Sequence, residues 1–247
     1  MRTFKTMFKH ELKLSVRGMD MVIFALCLPV VMAVILGLVF GDRPAFEGAS
    51  HTFFEQSFGA LTTIAICAGG VMGLPLLVSD YRQKKILKRF QVTPVSPAML
   101  LSVHVAIYTV YALASLVLVY GTAALFFGFR MQGSFLRFMA CWFLVLLSMF
   151  SIGMMVGGVA RDIKTAGILA SILYFPMLIF SGATLPYEVM PPSMQRIADL
   201  MPLTQGIKLL KHAALGLPNG QVWLPVAVLV LITLLCSAAS IRFWRWE

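Results

Sequence analysis

The sequence predicts an all-α polytopic membrane protein: six transmembrane helices, an N-terminal amphipathic helix at the interface, a cytoplasmic helix after span two, and two short external helices between spans five and six. Three observations predict it. Of the 247 residues, 60% are hydrophobic and only 12% charged, with a mean hydropathy of +0.89, whereas an ordinary soluble domain is about 25% charged. Too few polar side chains remain to cover a water-soluble globule. With Gly at 19, Pro at 12 and Cys at 4, the composition also excludes disorder, collagen-like repeats and a disulfide scaffold.

The second observation is the spacing of the charges. Runs free of Asp, Glu, Lys and Arg cover residues 21–41, 56–79, 90–129, 138–160, 165–187 and 212–241. Each is long enough for the roughly 20 helical residues, at 1.5 Å per residue, that cross a hydrocarbon core about 30 Å thick. The longest run holds one span, because Thr93-Pro94-Val95-Ser96-Pro97 breaks its first part and proline both removes a donor and clashes with the preceding turn.

The third is the placement of the bases. Six crossings put both termini on one side, and that side carries Arg2, Lys5, Lys9, Lys13 and Arg17, then Arg82, Lys84, Lys85, Lys88 and Arg89, then Arg161, Lys164, Arg242 and Arg245. Fourteen of the twenty bases thus lie on one face, which the positive-inside rule makes cytoplasmic. The acids divide evenly, so the net charge of +10 is almost wholly a cytoplasmic-face charge. A pI near 9.8 accordingly reads as membrane topology rather than nucleic-acid binding. The lipid bilayer is the expected environment: a cytoplasmic membrane, multi-pass, both termini inside, the whole chain (1–247) one membrane domain.

In residues 1–18, Phe4, Met7, Phe8 and Leu12 fall at helical spacing with Lys5, Lys9, Lys13 and Arg17 on other faces, the pattern of a helix lying on the inner leaflet. Span one follows at 21–40. It is not expected to be a cleavable signal, since about twenty polar and basic residues precede it and five more spans follow. Span two, 57–78, contains Gly69, Gly70, Gly73 and Pro75, which permit either a bend lining a path or close helix packing.

In the segment 80–94, Asp80 to Phe90 can form a short helix with Ile86, Leu87 and Phe90 toward one side and five bases around it, ended by Pro94 and Pro97. A topology-fixing loop accounts for the bases but not for the apolar stripe, which suits a docking element for a cytoplasmic partner.

Span three, 98–126, has His104 near its cytoplasmic start, where a histidine is expected to face the headgroups. Span four, 138–160, has Gly153 and Gly157 at the spacing of a tight helix contact. Span five, 165–181, leads into 186–218, where apolar residues at helical spacing between Pro191, Pro192, Pro202, Gly216 and Pro218 predict two short external helices, interfacial or re-entrant. Span six, 223–241, ends in the interface anchor Arg242-Phe243-Trp244-Arg245-Trp246.

Cys27, Cys67, Cys141 and Cys236 all fall inside predicted spans and read as small apolar fillers. The chain has no Gly-rich phosphate loop, zinc motif, nucleophile elbow or paired carboxylates within a span, so no catalytic residue and no metal site are expected. No acid or base falls at mid-bilayer, which disfavours an ion-coupled carrier.

These features, together with "SDYRQKKILKRFQVTPVSPAMLL" (79–101) and "FSGATLPYEVMPPSMQRIADLMPLTQGIKLLKHAALG" (180–216), resemble the type-2 ABC exporter permease family. The resemblance implies the transmembrane subunit of an ABC exporter that moves an amphipathic or hydrophobic small molecule, a drug or antibiotic, outward. It implies an ABC ATPase subunit, in two copies, that binds ATP and magnesium, with no cofactor on this chain, and a second permease copy or a paralogue. The coupling helix would use Arg82, Lys85, Ile86, Leu87, Arg89, Phe90 and Pro94. The path would run by Gly69, Gly70, Pro75, Tyr174, Phe175 and Phe180. The outer gate motif would be Ser181, Gly182, Pro186, Glu188, Pro191 and Pro202. A lipid-linked glycan as cargo, or a non-transporting immunity or assembly protein, are the alternatives.

Overall fold

The structure is a computed structural model describing residues 2–40, 43–44, 51–86, 96–181, 187, 190–217 and 222–243. Helix α1 (Arg2–Gly18) leads into span one, made of a π-helical turn (Val22–Cys27) and α2 (Leu28–Phe40). Span two comprises α3 (Phe53–Cys67), a second π turn (Ala68–Gly73) and α4 (Leu74–Gln83). Then come α5 (Pro97–Phe127), α6 (Phe135–Val159), α7 (Ile163–Phe180), two short helices, α8 (Pro192–Leu200) and α9 (Pro202–Leu215), and α10 (Trp223–Phe243). Among the described residues six helices are long and apolar enough to cross a membrane, so the chain is an all-α polytopic membrane protein.

Local chemistry sets the helix ends. Thr52 and Glu55 form a reciprocal capping box, the Thr52 N–H donating to Glu55 Oε2 at 2.9 Å and the Glu55 N–H to Thr52 Oγ1 at 3.2 Å, which satisfies two otherwise free donors. Ser96 accepts the Met99 N–H to start α5, and Gly128 ends it at φ 63°, a conformation open to a residue without Cβ.

Both π turns lie just ahead of a proline, Pro29 or Pro75. Proline has no N–H and its ring presses on the carbonyl four residues earlier. Widening the preceding turn to i→i+5 bonds, as in Leu28 N–H to Ile23 O and Leu74 N–H to Gly69 O, accommodates that defect without breaking the span.

Span two is the buried axis of the bundle; spans one, five and six lie at its periphery, with about a fifth of each buried. Its close partner is α6. A Cβ on Gly153 would run into the Gly70 carbonyl oxygen, and one on Gly157 would press on Val78 Cβ at 3.0 Å, so the two backbones touch. The glycine spacing therefore packs span four against span two. At the other end Phe58 stacks on Phe129, ring centroids 4.4 Å apart, and packs beside Phe138.

Span two extends beyond 57–78, from the capping box to Gln83, so that Asp80–Gln83 continues the span instead of starting a separate helix. Two short helices do lie between spans five and six. The second is enclosed: Leu203, Leu210, Ala213 and Ala214 of α9 are buried, packed against α3, α6 and α10. The Gln132 and Gly133 N–H groups, 3.1 and 2.9 Å away, donate to the Ala214 carbonyl.

Candidate functional site

Helix α1, the end of span two, the start of α5 and the turn from α6 to α7 meet at one end of the bundle. The apolar stripe of α1 is real: Phe4, Met7, Phe8 and Leu12 pack against the core, and the helix lies along α5. Beneath it, Tyr81 Oη and His104 Nε2 share a hydrogen bond at 2.7 Å, and Glu11 Oε2 stands 3.6 Å from the same nitrogen. His104 is 4% exposed. It does not face headgroups, because the tyrosine hydroxyl and α1 cover it.

These groups border a cavity of about 520 Å³ between α1, span one, span two, α5 and the start of α7. Glu11, Asp20 and Asp80 place carboxylates around it, Phe24, Tyr81 and Tyr108 contribute rings, and Met21, Met72, Leu76 and Leu77 supply apolar wall. Burial pushes the Glu11 carboxyl above the usual carboxylate range, with His10 pulling the other way. Asp80 is paired with Lys84 at 2.8 Å. An apolar pocket with a few polar groups is the general form of a small-molecule site.

Beside the cavity, span two ends against the α6–α7 turn. Arg82 Nη1 donates to the carbonyls of Ala160 at 2.7 Å and Gly158 at 3.3 Å, placing a cation at the negative end of α6. Gln83 Oε1 accepts the Ile163 N–H at 3.3 Å. Asp162 caps α7, accepting the Thr165 N–H and hydroxyl at 2.9 and 3.1 Å, and those bonds hold its carboxyl below the ordinary range. Lys85 turns the chain out of α4 at φ 56°.

Of the coupling residues expected from the sequence, Arg82 is half-buried and bonded inward, Lys85 is exposed and Ile86 half-buried. Leu87, Arg89, Phe90 and Pro94 lie outside the described residues. Among the path residues, Gly69 sits against Tyr108, Gly70 against Phe150, and Pro75 beside Gly153 and Gly157. Tyr174 is buried near Cys67, Phe175 is 53% exposed on the outer face of α7, and the Phe180 carbonyl accepts from Thr204 at 3.4 Å. The structure does not gather these six around one opening.

In the outer motif, Ser181 is buried, Pro191 caps α8 and Pro202 opens α9; Gly182, Pro186 and Glu188 lie outside the described residues. Around them Asp199 accepts from Tyr187 Oη at 3.0 Å and Lys208 Nζ at 2.5 Å, Lys208 sits 4.2 Å from the Tyr187 ring centre, and Gln205 donates to the Asp199 carbonyl at 2.6 Å. Sequence reading missed this clasp, the Tyr81–His104–Glu11 contact and the inward turn of Arg82. The signals available were one acid on a basic amphipathic helix and a single histidine in a span.

A bundle whose buried second span emerges beside a small apolar cavity at its basic end has the build of a polytopic membrane transport protein. Residues 2–215 match the ABC-2 type transporter family, and the chain belongs to that family. It is 33% identical over 99 residues to Nodulation protein J of Neorhizobium galegae, covering 40% of this chain and 38% of that protein. It is 29% identical over 133 residues to the inner membrane transport permease YhhJ of Escherichia coli, covering 52% and 34%. Against the putative transport permease YvfS of Bacillus subtilis it is 23% identical over 199 residues, covering 78% and 77%. The match thus spans under two-fifths of Nodulation protein J and of YhhJ.

Proposed function

We propose that the chain is the transmembrane subunit of an ATP-driven exporter, moving an amphipathic or hydrophobic small molecule out across the cytoplasmic membrane. One observation supports this reading beyond family membership. The helix of span two runs for 31 residues, about 46 Å at 1.5 Å per residue, against a hydrocarbon core of about 30 Å. Its surplus length carries the chain clear of the lipid and straight into Lys84, Lys85, Ile86, Leu87, Lys88, Arg89 and Phe90. A basic and apolar segment that directly follows the most buried helix in the sequence suits a docking element for an ABC ATPase. The ATPase binds ATP and magnesium, two copies serve two permeases, and both termini lie in the cytoplasm. Cargo enters from the inner leaflet by way of the 520 Å³ cavity, whose apolar wall suits an amphipathic molecule better than a glycan.

The test is purification from membranes without crosslinking. The expected result is a co-purifying nucleotide-binding chain that Ile86→Asp or Leu87→Asp removes while the permease stays monodisperse and helical. Recovery of no such chain would favour a non-transporting assembly or immunity protein. Variants that still retain the ATPase would place docking elsewhere.

A further inference from the structure

We propose that Arg82 is a positioning residue that makes the coupling segment and the start of span five move as one body; this rests on the docking role proposed for the segment after Gln83. Two successive residues at the end of span two terminate two other helices. Arg82 supplies the cation at the closing carbonyls of α6, Gly158 and Ala160, and Gln83 supplies an acceptor for the Ile163 N–H that opens α7. Only Ala160, Arg161 and Asp162 separate α6 from α7, so the turn has no slack. Further along, Gly153 and Gly157 hold α6 against span two backbone to backbone. A displacement delivered at Lys84–Ile86 therefore meets a fixed axis above it and a stiff joint beside it.

The bonding of the guanidinium argues for direction rather than mere stability. Nη1 has two acceptors, while Nε and Nη2 are buried without an acceptor among the described residues. Orphaned buried donors are costly, and an apolar side chain of the same length would fill the space without them. What arginine adds is a planar, charged reach onto the end of a neighbouring helix.

The experiment is hydrogen–deuterium exchange on the permease with its co-purified ATPase in nanodiscs, with and without ATP plus vanadate. In the wild type, nucleotide should alter exchange in both 83–86 and 160–166. In Arg82→Gln the response at 83–86 should remain and that at 160–166 should vanish, with basal exchange at 160–166 about tenfold faster, as loss of one charge-assisted bond predicts. Arg82→Lys, which retains the charge, should restore part of it; a residue that only fills space would show no such rescue. A nucleotide response at 160–166 that survives Arg82→Gln overturns the proposal, and so does loss of the ATPase from that variant, which would make Arg82 a docking residue. If the wild type carries no ATPase, the exporter reading fails, and the joint is then judged on the permease alone. Joint acceleration of 83–86 and 160–166 in Arg82→Gln and Gln83→Ala supports it, and unchanged exchange at 160–166 overturns it.

Discussion

Tyr81 Oη lies 2.7 Å from His104 Nε2, tying the end of span two to the start of span three across a separation of 23 residues. With Glu11 against the same imidazole, three segments distant in sequence share one buried polar contact. Tyr81→Phe should lower stability by about 1 kcal/mol, the net value of one buried hydrogen bond, and His104→Ala by about 2–4 kcal/mol, because a cavity is added. Thermal unfolding in detergent of both variants and the double variant reads the pair directly. Simple additivity of the two losses would show that the bond carries nothing.

Gly153→Ala forces a methyl into the Gly70 carbonyl. We expect a loss of about 1–3 kcal/mol, the usual cost of overpacking, seen as a lower unfolding temperature and a smaller monodisperse fraction. Gly121→Ala is the control, since a Cβ there meets nothing within 4 Å, and it should cost nothing measurable. Equal behaviour of the two variants would remove the backbone contact from the account of the fold.

The Glu11 carboxyl is held above the usual carboxylate range chiefly by burial, with His10 opposing. Its folded state binds a proton more tightly than its unfolded state, so this group's contribution favours folding as pH falls through the raised folded value toward the ordinary range, and is unfavourable above it. Glu11→Gln keeps the side chain neutral and should therefore be more stable than wild type at neutral pH, with the difference closing in acid. Parallel unfolding curves at neutral and acid pH check it, and a constant difference across that range would contradict the sign.

The Lys208–Asp199 pair is half-open to solvent, at 32% and 43% side-chain exposure. Despite its short distance, Lys208→Gln should cost only about 0.2–1 kcal/mol, the range for exposed ion pairs. A loss well beyond that in a double-mutant cycle with Asp199→Asn would mean that the Tyr187 ring, 4.2 Å from the ammonium, contributes substantially.

The spans were legible because hydrocarbon imposes length and charge exclusion directly on composition, and each of the six predicted runs overlaps one of the six apolar helices found among the described residues. The Gly153–Gly157 spacing also announced a tight contact. The extension of span two to Phe53 and Gln83 was less visible, since Asp80 and Arg82 read as the start of a separate short helix. Their charges are tolerated inside a helix because Lys84 pairs with one and the end of α6 receives the other. The candidate site was legible only in part. Ile86 and Lys85 stand where the proposed docking segment begins, but that Arg82 turns inward depends on the carbonyls of residues 158 and 160, more than 70 positions away.

Sequence by itself determined the class of environment, the number of crossings and the regions where helices stop, because those depend on transfer free energy and backbone chemistry within a window of some twenty residues. Tertiary structure alone decided which charged and polar groups find each other: His104 with Tyr81 and Glu11, Arg82 with the end of α6, Lys208 with Asp199. A lone polar group at a membrane boundary has water, headgroups or a distant partner available to it, and periodicity does not distinguish them. For His104 and Arg82, packing of span two against its neighbours does, by removing the first two options.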